Sequence, residues 1–366
     1  MHVLEAGFET KGRPCVLLLH GFPELAYSWR KVMPALAARG YHVIAPDQRG
    51  YGRTTGWSAE YDGDLAPFRL TNLVRDVLGL VYAFGYRHVD AVVGHDFGSP
   101  VAAWCALIRP DVFRSVVMMS APFAGPPALP FDTVDKPAMP PKDDPVRRDL
   151  AALPRPRKHY HWYYSTREAN ADMHRAPQGL HDFLRAYYHH KSADWTGNKP
   201  YPLSAWSAEE LAKLPTYYVM DLDKTMAETV AEEMPDGAAI SANRWLPDSE
   251  LAYYSAEYRR TGFQGGLQWY RCGTSGTFDA ELQTWADRRI EIPSAFIAGR
   301  QDWGTYQRAG AFEAMQTRAC GNMILCELIE GAGHWVQQEQ PDSVNRLLLQ
   351  FLEATRAGHP EPARVP

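Results

Sequence analysis

Three residues of this 366-residue chain have the types and settings that nucleophilic and acid–base chemistry needs: Asp96, Asp302 and His334. Asp96 stands in Gly94-His95-Asp96-Phe97-Gly98, directly after a β-prone run at 89–93 and before a helix-like segment at 100–107. Glycines flanking one central residue let a chain reverse from strand to helix while the middle side chain projects from the turn. Two readings are open there: an aspartate capping the helix of an ordinary turn, or a reactive carboxylate. Asp302 follows an apolar run at 293–299, and His334 follows another at 323–329 through Gly331-Ala332-Gly333. A histidine can move protons near neutral pH, and a carboxylate beside it can orient its ring. A group that attacks, a group that orients and a group that moves protons thus occur in that order, each just past an expected strand.

The elements that must position them alternate. Residues through Glu9 alternate weakly as a first strand, with a turn at 10–13. Cys15-Val16-Leu17-Leu18-Leu19 is a continuous apolar run, as expected of a strand buried on both faces. Helical spacing follows at 29–38, a strand at 41–46, a structural turn at Asp47-Gln48-Arg49-Gly50-Tyr51-Gly52 and an amphipathic helix at 70–84. A further strand spans 114–119, a helix 307–318 and a last helix 341–355, with a polar tail from Gly358. Strands and helices alternating at this spacing imply βαβ units and a mostly parallel sheet flanked by helices. Ligands bind such sheets at the carboxyl ends of the strands. The pattern breaks after Pro122. Residues 126–156 are crowded with proline and charge and read as a wrapping loop; residues 158–271 read as a helical, aromatic cap. The expected division is an α/β core at 1–122 and 285–366, with a Pro-rich connector and inserted cap at 123–284.

Hydrophobic residues make up 45% and charged residues 22% of the chain, as in ordinary globular proteins. A net charge of -5 offers no attraction for nucleic acid or anionic membrane. No apolar run approaches the roughly 20 residues that span a bilayer, and the N-terminus shows no signal-peptide pattern. The five cysteines lack paired short spacing and read as reduced packing residues of a cytoplasmic protein. No metal is expected at His189-His190 or at His159 and His161, which lack accompanying ligands. No dinucleotide motif is present, so no cofactor is expected.

Taken together, the chain resembles an epoxide hydrolase of the soluble type, with the α/β-hydrolase fold, over nearly its whole length. Gly94-His95-Asp96-Phe97-Gly98 resembles that family's aspartate elbow, and His20-Gly21-Phe22-Pro23 its oxyanion loop. Asp302 and His334 match its acid and base. Tyr160-His161-Trp162-Tyr163-Tyr164 and Leu267-Gln268-Trp269-Tyr270-Arg271 resemble the cap segments that carry its two catalytic tyrosines, which would be Tyr160 and Tyr270. Gln268 departs from the asparagine common in relatives, and Tyr163 and Tyr164 leave the register of the first tyrosine open.

The resemblance implies that Asp96 displaces an epoxide oxygen at carbon, forming an alkyl ester. Tyr160 and Tyr270 would protonate the departing oxygen, and His334, oriented by Asp302, would activate water against the ester. Backbone N–H groups of Phe22 and Phe97 would hold the oxyanion; Pro23 has no N–H to offer and would fix the loop. The expected partners are a small apolar epoxide and water, with the protein a monomer or homodimer. Two alternatives stay open. An aspartate-nucleophile dehalogenase would need side-chain N–H donors for halide, which Phe97 does not supply. A non-catalytic ligand-binding protein could keep the same fold.

Overall fold

The structure, a computed structural model, describes residues 1–134 and 145–357. Seven strands form one sheet: β1 (Val3–Ala6), β2 (Cys15–Leu19), β3 (His42–Pro46), β4 (Ala91–His95), β5 (Val116–Met119), β8 (Ser294–Gly299) and β9 (Met323–Ile329). Between β5 and β8 the short strands β6 (Arg157–His159) and β7 (Val219–Asp221) make a separate antiparallel ribbon. The sheet order is β1-β3-β2-β4-β5-β8-β9, with only β1 antiparallel to its neighbour. From β2 the chain winds outward to β3, then returns to place β4 on the other side of β2. That reversal opens a crevice at the carboxyl ends of β2 and β4, where an open α/β sheet binds its ligand.

Strands β2, β3, β4, β5 and β8 are buried along their whole length, whereas the edge strands β1 and β9 are partly exposed. Their side chains alternate between two cores, as the two-residue strand period requires. Leu17, Val92, Val116 and Phe296 face one way, toward the helices Leu70–Ala83 and Gly98–Ile108. Leu18, Val93, Val117 and Ile297 face the other, toward the helices Met33–Ala38 and Pro341–Ala357. The helix Leu70–Ala83 shows why: Leu73, Val74, Val77, Leu80 and Val81 make one buried stripe at helical spacing. The first core continues into the segment between β5 and β8, so sheet, helices and overlying helices share one apolar cluster.

Three expectations change. The segment expected as a wrapping loop contains a helix, Val146–Ala151, whose Val146 and Leu150 are buried one turn apart; Pro145 precedes it and so leaves its hydrogen bonding intact. The part of that loop at 135–144, and the tail from Gly358, lie outside the described residues. The overlying segment is helical apart from the β6–β7 ribbon, tied by the Arg157 guanidinium on the Val219 carbonyl. Finally, the helix expected from Gln307 begins at Ala311, because Gly310 at φ 72 sets the start of the helix.

Candidate active site

Asp96 follows β4 at φ 51, a left-handed backbone that non-glycine residues adopt rarely and at a cost of order 1–3 kcal/mol. The flanking glycines make this turn possible. A Cβ on Gly94 would stand 2.0 Å from the Gly98 carbonyl oxygen, and one on Gly98 would stand 2.3 Å from that of Leu19. The capping reading of Asp96 fails on its side chain. Phe97 is the N-cap of the following helix and no side chain caps it, while Asp96 Oδ1 accepts the Phe22 N–H at 2.8 Å.

The loop after β2 is held from below and above. His20, fully buried, has Nδ1 2.9 Å from the Gly21 carbonyl oxygen and accepts the Gln48 N–H on Nε2 at 3.0 Å, which makes the ring a neutral donor–acceptor bridge. Burial lowers its pKa in keeping with that state, against the pull of Asp47. The Glu24 N–H closes a turn onto the Gly21 carbonyl at 3.0 Å, and the Tyr188 hydroxyl donates to the Pro23 carbonyl at 3.1 Å. Phe22 is thereby fixed with its N–H on the Asp96 carboxylate.

His334 joins the two carboxylates. Its Nε2 lies 3.2 Å from Asp96 Oδ2 and its Nδ1 3.1 Å from Asp302 Oδ1, all three side chains being largely buried. Asp302 Oδ1 also accepts the Gly304 N–H at 2.7 Å. Burial by itself would raise both carboxyls, but the hydrogen bonding and charge of His334 outweigh it. Asp96 and Asp302 therefore both lie below the ordinary carboxylate range.

Tyr160 and Tyr270 come together, their ring centroids 5.9 Å apart. The Tyr160 hydroxyl donates to Gln307 Oε1 at 3.2 Å. The hydroxyls of Tyr163 and Tyr164 are engaged elsewhere, the first donating to Asp172 and the second to Tyr187, although the Tyr164 ring also packs on Tyr270 at 5.0 Å. The Tyr270 hydroxyl has no hydrogen-bond partner among the described residues, and its ring meets Phe22 and Phe97 edge-on at 5.6 and 5.2 Å. Burial first, then the charge of Asp96, raises both phenols well above their ordinary pKa, so both keep their protons.

Several residues near this centre carry no sequence expectation. His95 and Glu24, both fully buried, pair at 2.6 Å; the other His95 nitrogen lies 2.7 Å from the His334 carbonyl oxygen. Gln337 and Gln338 donate to the second Glu24 oxygen. Glu339 and Lys191 join the overlying segment to the His334 loop. The signal for His95 was its place inside the aspartate motif and for Glu24 its place directly after Pro23; Gln307, Glu339 and Lys191 have no such signal. Asp47 is structural, as expected, accepting N–H groups of Ala26 and Arg53. His190 is packed between Trp195 and Tyr217. Among the described residues no three His, Cys, Asp or Glu side chains gather as a metal site, and no helix is long and apolar enough to cross a membrane. A groove of about 1160 Å³ lined by Arg13, His42, Asp90 and Arg114 contains none of the residues above.

An acidic residue on a strained strand–helix turn at the sheet's switch point, with a histidine and second carboxylate from later strand ends, defines the α/β-hydrolase class of site. A family profile described as alpha/beta hydrolase fold matches residues 14–341. Epoxide hydrolase A of Mycobacterium tuberculosis is 33% identical, over 96% of this chain and 94% of its own. Epoxide hydrolase B of the same organism is 32% identical, over 94% and 92%. Among solved structures, an epoxide hydrolase from an endophytic Streptomyces superposes with a TM-score of 0.76 at 32% identity, covering 97% of this chain and 92% of that one. Potato epoxide hydrolase I gives 0.71 at 28% identity, covering 96% and 95%. The chain belongs to the alpha/beta hydrolase fold family and, within it, to the epoxide hydrolases.

Proposed function

We propose that the protein hydrolyses an epoxide to a vicinal diol through an alkyl ester on Asp96. The observation that carries this reading is the His334 ring, 3.2 Å from Asp96 and 3.1 Å from Asp302, with two protonated phenols on which the charge of Asp96 acts. Ionised Asp96 attacks one epoxide carbon, and the C–O bond of the ring breaks. The oxygen leaves as an alkoxide, a stronger base than a phenolate, and takes a proton from Tyr160 or Tyr270. Water then adds to the ester carbonyl as His334 takes one of its protons. The oxyanion forms where the Phe22 N–H already points, beside the Phe97 N–H at the helix start; each such donor is worth about 10²–10³ in rate. Collapse breaks the acyl–oxygen bond, the diol leaves with a proton from His334, and the carboxyl of Asp96 returns its own proton by way of the ring to the phenolate, which restores the carboxylate, imidazole and phenol of the start.

The rings of Phe22, Phe97, Tyr164 and Tyr270 pack around this point, which favours an apolar epoxide. They also disfavour halide as the leaving group. The nearest indole on Phe97, that of Trp269, donates its N–H to the Arg49 carbonyl. We assign residues 123–284 to the connector and cap over a core of 1–122 and 285–366.

Replacing the base provides the test. In His334→Gln the ester should form and persist, so that intact mass shows an adduct equal to the epoxide, mapped to the Asp96 peptide. Wild-type diol production with no adduct in the variant would remove the ester from the account.

A further inference from the structure

Asp96, Asp302 and His334 follow the strands β4, β8 and β9. Between β4 and β8 lies β5, whose carboxyl end gives no group to the reaction proposed above. The residue after it, Ser120, is fully buried and stands at φ 64, one of three non-glycine residues with positive φ among the described residues. Asp96 is another. Across Ser120 the Ala121 N–H donates to the Met119 carbonyl at 2.8 Å, closing a three-residue turn of the rare, strained kind that needs a positive φ at its centre. A strained residue persists only where its surroundings hold it.

What holds this turn is the site itself. The Asp96 N–H donates to the Met119 carbonyl at 3.1 Å, and the Ser99 hydroxyl, in the helix that follows Asp96, donates to the Ala121 carbonyl at 2.6 Å. The Ser120 carbonyl oxygen would stand 2.8 Å from a Cβ on Gly304, so the backbone after Asp302 rests directly on the turn. The Ser120 hydroxyl donates to the His334 carbonyl at 3.1 Å. It also lies 3.1 Å from His95 Nε2, which is itself 2.7 Å from that carbonyl. The turn at 119–121 thus touches the segments that carry Asp96, Asp302 and His334.

We propose that Ser120 is the positioning residue for His334: its hydroxyl, presented by the strained turn, fixes the His334 backbone so that the ring meets Asp302 and Asp96 on its two nitrogens. This rests on the ester mechanism proposed above. The ring distances, 3.1 Å to Asp302 and 3.2 Å to Asp96, require the His334 loop to be placed to a fraction of an ångström over two other loops. A carbonyl oxygen has two lone pairs. His95 alone would fill one on His334 and leave the loop free to pivot about that bond. Ser120 fills the other, and its own backbone is fixed against the segments of Asp96 and Asp302. Conformation alone favours glycine at a positive φ, but glycine has no hydroxyl to give. Serine at such a position is accounted for by the bond its side chain makes. The base acts when the ester is broken and not when it forms, so a displaced ring slows the second half of the reaction.

The test compares Ser120→Gly with Ser120→Ala. Both lose the hydroxyl, but only glycine also relieves the backbone, so the thermal midpoint of Ser120→Gly should lie above that of Ser120→Ala. Single-turnover kinetics, following ester formation and ester breakdown separately, should show breakdown slowed roughly 10-fold in both variants and formation close to the wild-type rate. A kinetic defect shared by two variants of different stability is what positioning by the hydroxyl predicts. If one variant does not fold, the split between the two steps in the other carries the same expectation. Breakdown at the wild-type rate in a folded variant would overturn the inference, as would equal slowing of both steps or rates that follow the thermal midpoints. Wild-type diol production with no adduct in His334→Gln would instead overturn the mechanism on which it rests, and the inference with it.

Discussion

Asp96 and Asp302 share one imidazole but are held for different work. Asp302 gives one oxygen to both His334 and the Gly304 N–H, which fixes the ring. Asp96 projects from a left-handed turn and meets the Phe22 N–H and His334 on separate oxygens. The Tyr270 hydroxyl has no hydrogen-bond partner among the described residues and the charge of Asp96 acts on it, while Tyr160 rests on Gln307. Tyr270→Phe should therefore slow ester formation about 10²-fold and leave ester breakdown much less affected. Single-turnover kinetics in which only breakdown slows would remove Tyr270 from the acid role. That Asp96, Asp302 and His334 would meet was legible in the sequence because each sits in a short glycine-containing turn after an apolar run. The tyrosine pair was legible only through family resemblance, since nothing in an aromatic helix marks one phenol among many. Gln307 was not legible at all. Its significance comes from side chains brought together across the fold, Gln307 meeting a tyrosine 147 positions away.

At the scale of elements, the joint between the His334 loop and the overlying segment is a buried carboxylate. Glu339 ends the short helix Val336–Glu339 and accepts the N–H groups of Gly333 and Ala193 on one oxygen and of Trp335 on the other. Burial pushes it up to about 8, although the three N–H groups pull the other way. A carboxyl raised in the folded state favours folding in its acid form. Its contribution is full below the ordinary glutamate value and is lost as pH rises through about 8. The wild-type thermal midpoint, measured relative to Glu339→Gln, should therefore decline across that window and level off above it. A difference that rises with pH would mean that the N–H groups dominate and Glu339 folds as a carboxylate. The strands and helices of the sheet were legible from their periodicity, and the helix Val146–Ala151 was not, because prolines at its ends conceal a buried i, i+4 pair. The ribbon of β6 and β7 was hidden by its charged, three-residue strands.

Over the whole molecule, the loops after β2, β4 and β9 are knotted together by a buried network. Glu24 pairs with His95, His95 meets the His334 carbonyl, and Gln337 and Gln338 return to Glu24. Asp96, the Phe22 N–H and His334 are thus set relative to one another by the same groups, while the apolar cluster continues into the overlying helices. The α/β alternation announced this architecture; the network was not legible, because Glu24 beside Pro23 and His95 beside Asp96 look like incidental neighbours in the sequence. On the proposed mechanism water attacks the ester carbonyl of Asp96 and not the epoxide carbon. A single turnover with enzyme in excess, in water enriched in heavy oxygen, decides between them. Heavy oxygen should enter the carboxylate of Asp96 and leave the diol unlabelled; heavy oxygen in the diol with Asp96 unlabelled would mean that water attacks the epoxide directly.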